Sequence, residues 1–247
     1  MRRRDFLSLA GSAAALGALS AACSSRPAGT GTISTSPPPT SGPSTVPSTT
    51  TTTTTPAASA PTSAEWARLS RSLDGNLVLP SSSGYLLAAE SYNPVFDGSR
   101  PKAIAYVASP ADVAGAIGFG RDHSLPLSIR SGGHCYGGWS TGDGLVIDVS
   151  KLSSVEVSAG SGTVVSGSGA RLVDFYAAIA PSGRAVPGGS CPTVGIAGLA
   201  LGGGLGVLDR KFGLTCDNLV SAQIVLASGE LVTCDATRHP DLFWALR

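Results

Sequence analysis

Two short stretches of the chain surround a chemically capable side chain with glycine. The first is Arg130-Ser131-Gly132-Gly133-His134-Cys135-Tyr136-Gly137-Gly138-Trp139-Ser140. Its glycines let the backbone turn with positive φ and bring N–H groups against a ligand, as a loop does when it cradles a pyrophosphate without lysine. The implied ligand carries phosphate. The second runs Pro187-Gly188-Gly189-Ser190-Cys191-Pro192-Thr193-Val194-Gly195-Ile196-Ala197-Gly198-Leu199-Ala200-Leu201-Gly202-Gly203-Gly204-Leu205-Gly206. If it is helical, Gly195, Gly198 and Gly202 leave a narrow face that another backbone or a flat ring can approach. Taken alone, each stretch also has a plain reading: a flexible loop with a satisfied histidine, and a packing segment with Cys191 as a small buried hydrophobe. A strand before the first stretch, Arg130 at its end and glycines on both sides weigh against the plain reading of His134. Two nucleotide signatures are excluded. A Gly-x-Gly-x-x-Gly fingerprint from Gly202 needs glycine at Val207, and no Gly-Lys-Ser/Thr exists for a P-loop.

The elements that must position these stretches follow from hydrophobic patterning. Ala103 to Ala108 predicts a strand, Pro110 to about Arg121 a helix with Asp112 near its positive end, and Pro126 to Arg130 a second strand. After the glycine turn, Gly144 to Val149 predicts a strand, with others near Val155 to Val157 and Thr163 to Ser166. Gly169 to Ala180 is a helix candidate. Ala222 to Leu226 and Leu231 to Cys234 form a hairpin across Ser228-Gly229, and Pro240 to Arg247 starts a helix. The order is β-α-β-β with strands continuing.

Composition sets the outer limits. Seventeen Lys+Arg against sixteen Asp+Glu give a net charge of +1, which offers no basic field for nucleic acid. Five cysteines with no CxxC pair and no Cys/His cluster suggest neither a zinc site nor a disulfide scaffold. Residues 1–23 read as an export signal: Arg2-Arg3-Arg4 precede Asp5-Phe6-Leu7 and an apolar run too short to span and stay. The order resembles a twin-arginine signal, the address of proteins exported folded and loaded, with an ordinary Sec signal as the alternative. Cys23 resembles a lipoprotein cleavage site, which would attach the chain to a membrane. Ser20 stands where such sites prefer leucine, so plain signal-peptidase cleavage competes. Residues 24–64, rich in Ser, Thr and Pro, form a disordered linker able to reach on the order of 100 Å. The expected folded part is 65–247. The expected location is outside the cytoplasm, extracellular or attached to the cell envelope.

Together the two glycine stretches resemble the FAD-linked oxidases of the vanillyl-alcohol-oxidase and p-cresol-methylhydroxylase (PCMH) superfamily, most closely its berberine-bridge-enzyme-like and oligosaccharide-oxidase branch. The resemblance covers roughly residues 93 to 247. It extends to Arg100-Pro101-Lys102-Ala103-Ile104, to Phe212-Gly213-Leu214-Thr215-Cys216-Asp217-Asn218-Leu219 and to Pro240-Asp241-Leu242-Phe243-Trp244-Ala245-Leu246-Arg247. It implies an α+β fold, an FAD-binding PCMH-type domain of two α/β subdomains, truncated here at the C-terminus with its substrate domain absent.

By that resemblance FAD is held by two covalent links, His134 to the flavin 8α-methyl carbon and Cys191 to flavin C6. Imidazole and thiolate are nucleophiles suited to adding to an electron-poor flavin. The competing reading is FAD bound without covalent bonds, with both residues lining the site. Further contacts carried over are Ser131, Gly132, Gly133 and Gly138 through their backbone, the Ser140 hydroxyl, Thr193, Val194, Gly195, Gly198 and Gly202, with Leu231-Val232 by the adenine. Asp217-Asn218 suit a turn as well as a ligand contact. Cys135 departs from the pattern, which favours serine, asparagine or aspartate there, and its thiol reads as packing. No metal site is expected. The implied activity is hydride transfer from an alcohol-type, sugar-type or secondary-metabolite substrate to flavin N5, with O2 or another acceptor reoxidising the flavin. The catalytic base is expected beyond residue 247, so the 247-residue chain is expected to be an inactive fragment. The alternative is a secreted flavin- or sugar-binding module without redox turnover.

Overall fold

The computed structural model describes residues 60–158 and 160–247. The export signal expected over 1–23, and the linker expected over 24–64 as far as residue 59, lie outside them.

The first helix among the described residues, α1 (Ser63–Ser72), starts two residues before the expected boundary at 65. Thr62 caps it. The Glu65 carboxylate accepts the Thr62 N–H at 2.7 Å, and the Thr62 hydroxyl accepts the Glu65 N–H at 3.3 Å, so two end groups satisfy each other. After it come strand β1 (Asn76–Val78) and the short helix α2 (Tyr85–Ala89). Neither was expected from sequence.

Strands β2 (Ala103–Tyr106), β3 (Leu127–Arg130) and β4 (Leu145–Asp148) follow, with helix α3 (Pro110–Asp122) between β2 and β3. With β1 they make a four-stranded sheet in the order β1-β2-β4-β3, antiparallel at β1 and parallel elsewhere. Alternation along the central strands divides the core between the two faces. Ala103, Ala105, Val107, Leu145, Ile147 and Val149 pack with Leu69 of α1 and Ala116 of α3. Ile104 and Val146 point the other way, onto Tyr85, Ala88 and Ala89 of α2. Central strands covered on both faces read as apolar runs, which is why the sequence marked them.

Beyond the sheet, β5 (Val155–Val157) pairs with β6 (Val164–Ser166), helix α4 spans Leu172–Ile179, and β7 (Ser221–Val225) pairs with β8 (Leu231–Asp235). Short helices α5 (Ile196–Leu201) and α6 (Asp209–Phe212) precede that hairpin, and α7 (Pro240–Ala245) follows it. Helix α4 starts later than the expected Gly169. The segment ahead of it pairs with the second glycine stretch instead, through the bridge between Arg171 and Gly195.

Candidate cofactor-binding site

The first glycine loop is anchored where β3 and β4 end. Arg130 closes β3 and Asp148 closes β4, and Arg130 Nε donates to Asp148 Oδ2 at 2.6 Å, with both side chains only 6% exposed. Arg130 Nη1 also donates to the Glu90 carbonyl at 3.3 Å. The chain leaves this anchor at Ser131, whose hydroxyl donates to the Ser168 carbonyl at 2.7 Å.

The second stretch is sewn onto the start of α4. The N–H of Leu172 donates to Val194 O at 2.9 Å, that of Val173 to Pro192 O at 3.0 Å, and that of Ile196 to Ala170 O at 2.9 Å. Behind it, the Tyr176 hydroxyl donates to Gly189 O at 2.7 Å and the Thr215 hydroxyl to Pro187 O at 2.9 Å. The two stretches then meet with no room for side chains. A Cβ on Gly132 would lie 2.7 Å from Thr193 O and closer still to Gly195 N, both backbone atoms. This is why glycine is needed at both positions.

That meeting brings His134, Thr193 and Cys191 together. Thr193 Oγ1 lies 2.9 Å from His134 Nε2 and 3.8 Å from Cys191 Sγ. The His134 ring stacks on Tyr92 with centroids 3.7 Å apart and planes 20° from parallel, and the Tyr92 N–H donates to Gly133 O at 3.3 Å. Burial first, and then the positive charge of Arg171, hold His134 below the ordinary histidine value of 6.5. The imidazole is therefore neutral near pH 7, with a lone pair free on one nitrogen.

Further along the loop, Gly138 turns with φ 76°, and a Cβ there would sit 2.5 Å from the Phe96 ring. The turn leads to Ser140 and Thr141, each 7% exposed. Their hydroxyls, with that of Ser91, have no hydrogen-bond partner among the described residues. Buried hydroxyls are almost always paired, so these three are available to a polar partner from outside the chain.

The family description "FAD binding domain" matches residues 101–235 of this sequence. The chain belongs to the PCMH-type FAD-linked oxidoreductases. Among characterised members, (R)-6-hydroxynicotine oxidase of Paenarthrobacter nicotinovorans is 36% identical over 180 residues, 71% of this chain and 38% of that protein. Chitooligosaccharide oxidase of Gibberella zeae is 40% identical over 152 residues, covering 60% of this chain and 31% of that protein. In structure, glucooligosaccharide oxidase of Acremonium strictum, described with a 6-S-cysteinyl, 8α-N1-histidyl FAD, superposes with a TM-score of 0.68 at 34% identity. It is matched over 73% of this chain and 38% of that one. The chain thus spans well under half the length of these relatives.

The fold is the mixed α/β one expected for an FAD-binding PCMH-type domain, and its residues fit the cofactor. The donor set, the cradle that side chains cannot enter and the unpaired Ser140 hydroxyl lie in the two family stretches. Expected site residues are not all assembled by this geometry. His134, Cys191, Thr193, Val194, Gly195, Ser131, Gly132 and Gly133 come together. The face of Gly195, Gly198 and Gly202 does not form as one strip: Gly195 is closed off by Ser131 and Gly132, Gly198 faces open space, and Gly202 caps the six-residue α5. Val232 is buried on β8 opposite Ile224, in a hairpin that packs on α3, and no described contact joins it to the His134 group. Asp217 and Asn218 hold a turn. Asp217 accepts the Leu214 N–H at 2.8 Å, and Asn218 Nδ2 donates to the Phe212 and Leu214 carbonyls.

Four features escaped the sequence: the Tyr92 stack, the Arg171 field on His134, and the unpaired hydroxyls of Ser91 and Thr141. Thr141 sits beside the expected Ser140, and that adjacency was the available signal. Tyr92 carries none, because its contact arises from a loop laid across Gly133.

Proposed function

We propose that this chain binds FAD covalently through His134 and Cys191 and serves an oxidoreductase acting on an alcohol- or sugar-type small molecule, with O2 or another acceptor completing the cycle. The observation that carries this is the convergence of an imidazole and a thiol on one threonine hydroxyl, within a glycine cradle that excludes side chains. The doubly linked flavin described for the Acremonium strictum relative supports it, as do the oxidase names of the other relatives.

When bound, FAD supplies the two-electron chemistry. The chain's own residues do the rest. His134 and Cys191 would hold the ring system, and Ser131, Gly132 and Gly133 would offer backbone N–H groups, whereas the Gly138 N–H is taken by Cys135 O at 3.1 Å. Ser140 and Thr141 would satisfy their hydroxyls on the ligand's polar atoms, and Thr193 to Gly195 and Gly198 would lie against it. Mass spectrometry of proteolytic peptides tests this directly. The peptides spanning His134 and Cys191 should be recovered joined, with the mass of one FAD added, and both peptides at their unmodified masses would overturn the covalent reading.

Export in the folded, loaded state belongs to the same reading, because attachment needs cytoplasmic FAD and a formed site. Its support is the order Arg3-Arg4-Asp5-Phe6-Leu7 ahead of the apolar run. Changing Arg3 and Arg4 to lysine should strand the precursor inside the cell. Normal export of that variant would identify a Sec-type signal instead.

A further inference from the structure

We propose that Thr193 is the positioning residue for flavin attachment: its hydroxyl accepts the Nε2–H of His134 and directs its own proton toward Cys191 Sγ. Nδ1 of the histidine is thereby left with its lone pair open, and the cysteine sulfur is held beside it. This role rests on the reading of His134 and Cys191 as the attachment pair.

A neutral imidazole carries one proton, and the hydrogen bond made by one nitrogen decides which nitrogen holds it. A hydroxyl can accept and donate at the same time. Among the described residues, Thr193 Oγ1 is the one atom within hydrogen-bond reach of both reactive groups, 2.9 Å from Nε2 and 3.8 Å from Sγ. If Thr193 donated to Nε2 instead, the proton would sit on Nδ1 as a donor with no partner among the described residues. The lone pair needed for bonding would then be tied up on Nε2. With Nε2–H as donor, every proton has an acceptor and Nδ1 is left open. The threonine proton, turned to the sulfur, holds Cys191 Sγ beside the histidine. That protonation pattern exists before any bond to a flavin is made.

The surroundings keep the arrangement fixed. The Tyr92 stack sets the plane of the ring, and so the direction of the Nε2–H bond. Thr193 cannot drift, because its carbonyl packs on Gly132 and its neighbours Pro192 and Val194 accept N–H bonds from α4. Burial and Arg171 keep the ring neutral, without which neither tautomer would have a free lone pair.

Two measurements test the role, each on the protein, Thr193→Ser and Thr193→Val. Nitrogen NMR of the flavin-free protein should find the His134 proton on Nε2 in the parent and in Thr193→Ser, and a mixture of tautomers in Thr193→Val. A proton on Nδ1 in the parent would overturn the proposal. Each link would replace a C–H bond of the flavin, the proton leaving to solvent and the electron pair passing to dissolved O2. Covalent FAD on the His134 and Cys191 peptides, followed over time after adding FAD in air, should accumulate about tenfold more slowly in Thr193→Val, the loss of one hydrogen bond. It should recover in Thr193→Ser, which keeps the hydroxyl and so separates its role from side-chain shape. Attachment at the parental rate in folded Thr193→Val would overturn the positioning role alone. No attachment in the parent, with the Nε2–H tautomer in place, would overturn the attachment reading and this role with it.

Discussion

Acid precipitation should leave the flavin in the protein pellet for the parent, for His134→Ala and for Cys191→Ala, and release it to the supernatant only when both residues are replaced. A non-covalent cofactor depends on the folded cradle. The N–H donors around Gly132 and Gly133 and the hydroxyls of Ser140 and Thr141 are aimed only while the two glycine stretches are pressed together. Acid dissolves that geometry, and every non-covalent contact goes with it. A covalent bond does not depend on folding, so one surviving link suffices. The change on going from one link to none is all or nothing, read as flavin absorbance in the supernatant. Complete release from the parent would end the bicovalent claim, and retention by the double variant would place the link at another residue.

The second large effect is expected at the Arg130–Asp148 pair. Two opposite charges at 2.6 Å, both almost wholly removed from water, satisfy each other at the point where the sheet hands the chain to the glycine loop. Removing either partner leaves the other as an uncompensated buried charge, which costs about 3 to 5 kcal/mol. Arg130→Met or Asp148→Leu alone should therefore lower unfolding stability by that amount in urea titration. The double replacement should recover most of the loss, because an apolar pair of similar volume leaves no stranded charge. Double-variant stability as low as that of the worse single variant would show that the pair acts by shape and not by charge.

How much of this was legible in the sequence depended on the range of the physics involved. Strands β2 and β4 are covered on both faces, so Ala103 to Tyr106 and Leu145 to Asp148 stand out as apolar runs. The hairpin of β7 and β8 is marked by Ser228-Gly229, and α3 by Pro110 with Asp112 in its first turn. All are local signals. Strand β1 has three residues and α2 five, too few for a period to show. The start of α1 was written in plain terms as Thr62-Ser63-Ala64-Glu65, a capping box, yet it was hidden by the Ser/Thr-rich stretch before it. At the site, His134 and Cys191 were readable because glycine surrounds them. Glycine could not say that Gly195 packs inward while Gly198 stays open, since that depends on Ser131 arriving from far along the chain. Nor could it show that one threonine lies between the two nucleophiles.

The separation of those nucleophiles along the chain has a mechanical consequence. His134 lies 59 positions before Thr193, and Cys191 sits beside that threonine. A ring system bonded to both His134 and Cys191 would tie off a loop of roughly sixty residues, as a disulfide does. Closing a loop of that size removes conformational freedom from the unfolded chain worth about 4 kcal/mol. The cofactor would then be a staple as well as a reagent. The loop it closes includes β4, β5, β6 and α4, so unfolding would have to proceed with these elements still threaded between two fixed points, and refolding would begin with the two glycine stretches already in register.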